Sequence, residues 1–302
     1  MKVYSATRKQ PLSRGKIACV GSVVTVNMAR GCAGECVFCY ARCLRGGPRP
    51  HAMWVYNDLP NQLRRDLDNR ARRGTLPGYV VFSTASDPFI GDPQLRETAR
   101  ACLEVLIKRD VGVTLSTRGE VPPEVIQLFA HRPERVKVNM PLASMSEDYT
   151  STWEPGAASP ERRLFSAQKL REVGVSVELR LEPVIPFVND DNGTFAEVFS
   201  AIASTQQRRV MLRFLQLWPG VAEQLRREAP PGIVRLVLGC FPSQQQTGRA
   251  ADYDHIVHRQ AIATLRRAQR VAQDHGIALE ACRCHNPGLP AGQCVVAPPQ
   301  AE

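Results

Sequence analysis

The sequence lacks any long apolar run, and no stretch approaches the ~18 apolar residues that a membrane-spanning helix needs. The amino-terminal residues 1–16 are polar and basic, without the apolar core of a secretory signal. These two absences argue against a membrane partner and against secretion. We therefore expect a cytoplasmic protein whose thiols stay reduced.

The sequence also lacks any run of five or six like charges, although its formal net charge is +10. A basic balance attracts nucleic acid or phosphorylated substrates. Without a charge run, however, the excess arginine favours an ordinary solvated surface. Nucleic acid therefore stays open as a partner but is not favoured.

Short, β-branched segments bounded by turn signals alternate with segments of helical periodicity. Repeated strand–helix alternation predicts a parallel sheet with right-handed crossovers. Six such units are fewer than a complete eight-unit barrel has. We therefore predict an α/β fold, a partial (β/α)6 TIM-like barrel. The predicted strands lie at residues 17–28, 79–84, 111–117, 135–140, 175–185 and 209–215. The predicted helices lie at residues 93–109, 160–173 and 195–203, with another beginning at Pro122 and Pro123.

The predicted barrel domain spans residues 1–217, and a C-terminal extension spans residues 218–302. Residues 218–254 are rich in proline, glycine and glutamine and are expected to be irregular. A long helix is expected at about residues 255–275, before a cysteine-rich tail.

Ten cysteines in a reducing compartment favour metal binding or catalysis over disulfides. Cys32, Cys36 and Cys39 form a C-x3-C-x2-C pattern directly after the first predicted strand. Three thiolates on one short loop can hold a cubane iron–sulfur cluster and leave one iron open. The alternatives are a zinc site completed by Cys43 or a histidine, and an electron-transfer cluster.

This pattern, with Phe38 before the last cysteine and Tyr40 after it, resembles the signature of the radical S-adenosylmethionine superfamily. The flanking sequences NMARGC and CVFCYAR resemble more narrowly its spore photoproduct lyase-like branch. The resemblance implies a [4Fe–4S] cluster whose open iron binds S-adenosylmethionine. It further implies reductive cleavage to methionine and a 5′-deoxyadenosyl radical, which abstracts hydrogen from a substrate. An electron donor such as flavodoxin or ferredoxin is then required.

The fifth predicted strand, ELRLEPVIP, places Glu178, Arg180 and Glu182 on one face by its alternation. The resemblance implies that Arg180 pairs with the methionine carboxylate, for which a guanidinium is well shaped. Glu182 would then bind a ribose hydroxyl. An internal Arg–Glu ion pair is the structural alternative.

Other predicted cofactor contacts lie near the ends of strands, where barrel enzymes carry their sites. Apart from Arg180 and Glu182, the predicted contacts are Phe38, Tyr40, Ser83, Thr84, Asp87, Ser116, Asn139 and Leu215. The resemblance implies that the group after the second strand meets the methionine amino group, and that Phe38, Tyr40 and Leu215 contact adenine. Helix capping, turn formation and simple packing are the alternatives for these residues.

The tail carries Cys282, Cys284 and Cys294 in a C-x-C-x9-C pattern with His285 inside it. We predict an auxiliary [4Fe–4S] cluster, with Cys240 or His285 as a fourth ligand. Zinc and free structural thiols are the alternatives. The spore photoproduct lyase family is not characterised by such a tail, which weighs against a role in DNA repair.

The sequence thus predicts a radical S-adenosylmethionine enzyme acting on a small biosynthetic intermediate, such as a nucleoside, nucleotide or sugar. The reaction would form, cleave or rearrange a carbon–carbon bond. Candidates for the residue that quenches the final radical are Cys240, Tyr40 and Tyr253. The alternatives are a DNA photoproduct lyase and a non-catalytic zinc or iron–sulfur protein.

Overall fold

The computed structural model describes residues 1–14, 23–44, 46–241, 254–286 and 288–292. The β-strands in these ranges are β1 (Lys2–Ser5), β2 (Leu12–Arg14), β3 (Val24–Val26), β4 (Ala29–Arg30), β5 (Ala52–Val55), β6 (Tyr79–Phe82), β7 (Gly112–Ser116), β8 (Val136–Pro141), β9 (Ser176–Val184), β10 (Arg209–Phe214), β11 (Gln216–Leu217), β12 (Asp254–His255), β13 (Ala278–Cys282) and β14 (Ala291–Gly292). The α-helices are α1 (Leu59–Arg72), α2 (Pro93–Ile107), α3 (Pro123–Ala130), α4 (Glu147–Trp153), α5 (Pro160–Glu172), α6 (Asn192–Ser204), α7 (Val221–Glu228), α8 (Pro231–Gly239) and α9 (His258–Asp274).

The main sheet has the strand order β14-β13-β10-β9-β8-β7-β6-β3-β2. All neighbours from β3 to β14 are parallel, and β2 pairs antiparallel with β3. Its order follows the chain from β3 to β10, as successive strand–helix units require. Within the described ranges the sheet does not close, which confirms the predicted partial barrel. The six predicted strands correspond to β3 and to β6 through β10, and residues 17–22 of the first predicted strand lie outside the described residues.

The sheet continues into the segment predicted as an extension. β13 pairs with β10 in parallel register, Arg209 opposite Ala278 and Leu212 opposite Ala281. The expectation that residues 218–254 are irregular is wrong where α7 and α8 form. Pro230 and Pro231 suggest a chain break in sequence, yet Pro231 is the first residue of α8, where proline is tolerated. The division of the chain at residue 217 stays a prediction.

The two faces of β9 differ in chemistry. Leu179 and Leu181 are fully buried in the core that α5 covers. Glu178, Arg180 and Glu182 point to the opposite, concave face, because side chains alternate along a strand. The sheet therefore presents a hydrophobic convex face to the helices and a charged concave face.

A smaller sheet with the order β1-β5-β4 lies beside the main one and leads into the cysteine-containing segment. Because the main strands are parallel, the loops that follow them gather at one carboxyl edge. Of the described helices, none has the length and apolar character required to cross a lipid bilayer.

Candidate cofactor site at the carboxyl edge of the sheet

The cysteine loop, residues 31–39, joins β4 to a 3-10 helix at Tyr40–Cys43. Cys36 is buried, whereas Cys32 and Cys39 are partly exposed. A turn in which the Cys39 N–H donates to the Cys36 carbonyl, at 3.0 Å, fixes the second half of the loop. The structure thus brings the three predicted ligands together on one short, internally bonded segment.

The Cys32 thiol accepts two backbone hydrogen bonds, from the N–H of Asp87 at 3.2 Å and that of Gly34 at 3.4 Å. Burial raises the pKa of Cys32 to about 12 and raises the pKa of Cys36 well above that of a free thiol. Thiolate ligands in such a place need a compensating cation, which a bound metal centre provides.

The loop fits an iron–sulfur cluster in its donors and in its space. A Cβ added at Gly34 would lie 3.4 Å from the Cys32 sulfur and 3.8 Å from the Cys36 sulfur, in van der Waals contact with both, so glycine leaves the space beside the two thiols clear. Burial raises the pKa of the Tyr149 hydroxyl, and the charges of Glu154 and then Cys36 raise it further. That hydroxyl is buried and has no hydrogen-bond partner among the described residues. A cluster sulfide beside it would supply the missing acceptor.

Among the described residues, no three His, Cys, Asp or Glu side chains are grouped tightly enough to coordinate one metal ion. A cubane does not require such grouping, because its protein thiolates bind different irons. The geometry of the cysteine loop is therefore compatible with the predicted cluster.

Helix α7 packs against the cysteine loop and forms hydrogen bonds to its backbone. The Gln224 side chain is buried, and its Nε2 donates to the carbonyl of Val37 at 2.8 Å and to that of Cys39 at 3.3 Å. One amide thus binds two loop carbonyls, of which that of Cys39 also accepts from the Arg42 N–H at 3.3 Å.

Arg42 forms a second link between the loop and α7. Its Nη1 donates to the carbonyls of Glu35 at 3.1 Å and Cys36 at 3.3 Å, and its guanidinium forms a two-point ion pair with Glu228. The two distances in that pair are 2.6 and 3.0 Å, the geometry in which arginine binds carboxylates best.

The loop after β6 is fixed by Asn27. Its Oδ1 accepts from the backbone N–H of Thr84 at 2.7 Å, from that of Ala85 at 3.0 Å and from the Thr84 hydroxyl at 3.2 Å. Ser83, at a positive φ of 63°, is buried and donates to the carbonyl of Ser86. Ser83 and Thr84 thus lie at the predicted strand end, and their described contacts stabilise the turn.

Asp87 connects this turn to the cysteine loop and to β7. Its backbone N–H donates to Cys32, and its carboxylate accepts from the Thr117 hydroxyl at 2.8 Å, the Arg118 N–H at 2.7 Å and the Phe89 N–H at 3.0 Å. Burial raises the Asp87 pKa in spite of these donors. Its carboxylate is therefore an anchor of the loop, and its role toward a cofactor stays a prediction.

Arg118 lies beneath the cysteine loop, with its guanidinium 5.4 Å from the centre of the Phe38 ring. Its Nε donates to Glu154 at 2.9 Å, and the other Glu154 oxygen accepts from Arg163 at 2.5 Å. Burial opposes ionisation of Glu154, but the two guanidinium groups outweigh it and lower the carboxyl pKa. A fully buried carboxylate thus holds two arginines, one of them close enough to Cys36 to interact with its charge.

The concave face carries a chain of alternating charges. Lys137 pairs with Glu178 at 2.9 Å, Arg180 with Glu182 at 3.2 Å, and Arg213 lies 3.7 Å from the second Glu182 oxygen. Burial opposes ionisation of Glu182, but Arg180 and then Arg213 lower its pKa to about 2. The predicted fifth-strand pair is thus an ionised ion pair in this structure.

The remaining predicted contacts are dispersed around this face. The Tyr40 hydroxyl donates to the Thr84 carbonyl at 2.7 Å, and its ring stacks on Trp218. Ser116 is exposed, and Leu215 is buried. The Asn139 Oδ1 is buried without a hydrogen-bond donor among the described residues.

The C-terminal cysteines occupy two places. Cys282, at the end of β13, is fully buried with its sulfur 3.5 Å from Nδ1 of His285, and Cys284 is partly exposed. The Cys240 thiol contacts the Leu236 carbonyl and Gln260 instead, between α8 and α9. Cys294 and Tyr253 lie outside the described residues, so their predicted roles stay predictions.

Several residues of the site carry no sequence signal that predicted them. Gln224 is 187 residues from Val37, and Asn27 is 57 residues from Thr84. Glu154 lies in a turn after a seven-residue helix, α4, without any motif around it. The only signal for Arg213 was its position near the end of a predicted strand.

The chain matches one family model and resembles several curated proteins in sequence. A family model described as the Radical SAM superfamily matches residues 26–198. An uncharacterized protein of Acidianus two-tailed virus is 27% identical over 169 residues, 53% of this chain and 56% of that protein. A radical SAM Nalpha-GlyT isomerase of Pseudomonas phage M6 is 22% identical over 243 residues, 77% of this chain and 48% of that protein. The chain therefore matches about half the length of these curated relatives.

Solved structures show the same fold at low identity. Spore photoproduct lyase complexed with dinucleoside spore photoproduct has a TM-score of 0.69 and 16% identity, over 93% of this chain and 82% of that one. Streptococcus suis SuiB bound to precursor peptide SuiA has a TM-score of 0.52 and 12% identity, over 86% of this chain and 49% of that one.

Proposed function

This chain belongs to the radical SAM superfamily, and we propose on that premise that it reductively cleaves S-adenosylmethionine to start radical chemistry on a substrate. Cys32, Cys36 and Cys39 would hold the [4Fe–4S] cluster. When bound, that cluster supplies the electron and an open iron for S-adenosylmethionine. The observation that carries the proposal is the position of the three thiols on one loop, which is bonded through Cys32 to Asp87 in the turn after β6.

The chain's own residues would orient the cofactor. Arg180, only 11% exposed in its side chain, presents a guanidinium on the concave face and would pair with the methionine carboxylate. Glu182 is held ionised by Arg180 and Arg213 and would accept from a ribose hydroxyl. Phe38, which is only partly buried, would contact adenine, and the turn at Ser83–Thr84 would lie by the methionine amino group.

The substrate we propose is a small biosynthetic intermediate with polar groups, such as a nucleoside, nucleotide or sugar. The exposed Ser116 would contact this substrate on the concave face, as would the Asn139 Oδ1, which accepts no hydrogen bond from the described residues. The second candidate function is DNA photoproduct repair, with which the net charge of +10 is compatible. One structural neighbour contains a dinucleoside photoproduct, which describes that protein alone. DNA repair would require duplex affinity that falls steeply with salt.

The first test is to purify the protein without oxygen, reconstitute it with iron and sulfide, and assay S-adenosylmethionine cleavage with dithionite. We expect 5′-deoxyadenosine and methionine in equal amounts. A zinc-bound protein, or an iron-loaded protein that makes no 5′-deoxyadenosine with a strong reductant, would overturn the proposal. Either result would favour the zinc or electron-transfer alternative.

An auxiliary [4Fe–4S] cluster at Cys282, Cys284 and Cys294 is a separate proposal. Its support is the close sequence spacing and the imidazole of His285 beside Cys282. We expect Cys282/Cys284/Cys294→Ala to lower iron from about eight to about four atoms per chain while leaving the first cluster loaded. Iron and acid-labile sulfide analysis measures this, and unchanged iron content would refute the second cluster.

Arg180→Lys tests the assignment of the carboxylate partner. Lysine keeps the charge beside Glu182 but loses the two-point geometry, so S-adenosylmethionine affinity is expected to fall about 10- to 100-fold. Equilibrium dialysis against the reconstituted protein measures the affinity. Arg209→Lys is the matched control, because Arg209 is an exposed arginine on β10 that pairs with Glu280 on β13. It should bind S-adenosylmethionine as wild type does. Equal affinity in all three proteins would contradict the assignment.

A further inference from the structure

Helix α7, which binds the cysteine loop on one face, exposes its opposite face to solvent. Gln224 and Glu228 face inward to the loop and to Arg42. Arg226 and Arg227 project outward, with side chains 59% and 61% exposed. Because these positions share one short helix, the loop and this surface are separated by about one helix diameter, roughly 10–12 Å.

A groove of about 350 Å³ runs between α7 and α8 on this side, lined by Arg226, Pro231, Val234, Arg235 and Leu238. We call it the α7–α8 groove. Two arginines border it, and among the described residues its lining includes no acidic side chain. Glu223 pairs with Arg226, and Glu228 pairs with Arg227. These two carboxylates neutralise the surface only in part, because Arg235 adds a further positive charge.

We propose that the α7–α8 groove is the docking surface of a small acidic one-electron carrier protein. The inference rests on the proposed function, because S-adenosylmethionine cleavage requires an electron that this chain must obtain from outside. Charge complementarity selects an acidic partner and speeds its association. Pro231, Val234 and Leu238 give the groove the apolar centre that protein interfaces need. The reduced carrier loses one electron and the cluster gains it, and no bond is made or broken.

The fold offers a short route for that electron. From the groove, α7 leads to Gln224, whose amide is hydrogen-bonded to the Cys39 carbonyl at 3.3 Å. Cys39 is one of the three proposed cluster ligands. The carrier therefore does not need to enter the concave face, which stays available to cofactor and substrate.

The test uses the full reconstituted protein, with photoreduced flavodoxin as the carrier and dithionite as a reductant that needs no docking surface. Arg226→Glu/Arg235→Glu is compared with Arg266→Glu/Arg270→Glu, which makes the same charge change on exposed positions of α9. With flavodoxin, 5′-deoxyadenosine formation by the groove variant is expected to fall at least tenfold and to lose its salt dependence. The α9 variant should behave as wild type.

With dithionite, all three proteins are expected to react equally, which shows that the groove variant is folded and loaded. Equal loss in both variants, or none in the groove variant, would overturn the docking assignment while leaving the proposed function intact. Failure of wild type with dithionite would instead defeat the proposed function itself.

Discussion

Replacing Cys32, Cys36 and Cys39 together by alanine is expected to abolish 5′-deoxyadenosine formation and to remove about four irons per chain. The effect is expected to be complete, because the variant removes all three proposed cluster ligands at once. Cys36 is buried and Cys32 is held by two backbone donors. Iron analysis and product chromatography on the same anaerobic preparations measure both losses.

The matched control is Cys43→Ala. Cys43 directly follows the cysteine loop, and its thiol donates weakly to Gln224 at 3.5 Å. We expect it to keep its iron and its activity. If Cys43→Ala lost as much iron as the triple variant, Cys43 would belong to the ligand set and the site would be a four-thiolate one. Activity in the triple variant would refute the assignment of the radical cluster.

Glu154→Gln is expected to lower the free energy of unfolding by about 3–5 kcal/mol, because it leaves two buried guanidinium groups without their shared carboxylate. Arg163 is almost wholly buried and cannot turn to water. Arg118 would lose the partner that holds it under Phe38. Urea unfolding followed by circular dichroism measures the change.

The control for this prediction is Glu97→Gln, which breaks a two-point ion pair with Arg100 on the surface of α2. Glu97 is 63% exposed, so this loss should cost less than about 1 kcal/mol. Similar unfolding energies for the two variants would show that Glu154 is not the stabilising centre described above.

The parallel sheet could be predicted because β-branched segments and helical periodicities are local signals. The same is true of the three cysteines and of the alternation at Glu178, Arg180 and Glu182. β13 was not predicted, because its segment IALEAC has a single β-branched residue. The segment also runs into the tail cysteines, which were interpreted as a metal-binding pattern. The helix α8 was missed because its opening prolines also mark chain breaks.

Most of the supporting contacts could not be predicted, because they join residues that only the fold brings together. Glu154 has no periodic or motif context, yet it joins an arginine in the loop after β7 to an arginine on α5. Gln224 is an ordinary polar residue of an amphipathic helix until its amide meets the cysteine loop. A single sequence contains the identity of such residues but not their distances.

The clamp of α7 on the cysteine loop also has a consequence for protein synthesis. Gln224 follows Val37 by 187 residues, so at about 5–20 residues per second a ribosome adds it roughly 10–40 s later. During that interval the nascent thiols have no α7 to hold their carbonyls, and β13 has not joined the sheet. The contacts between the cysteine loop and α7 can therefore form only after about three quarters of the chain has been synthesised.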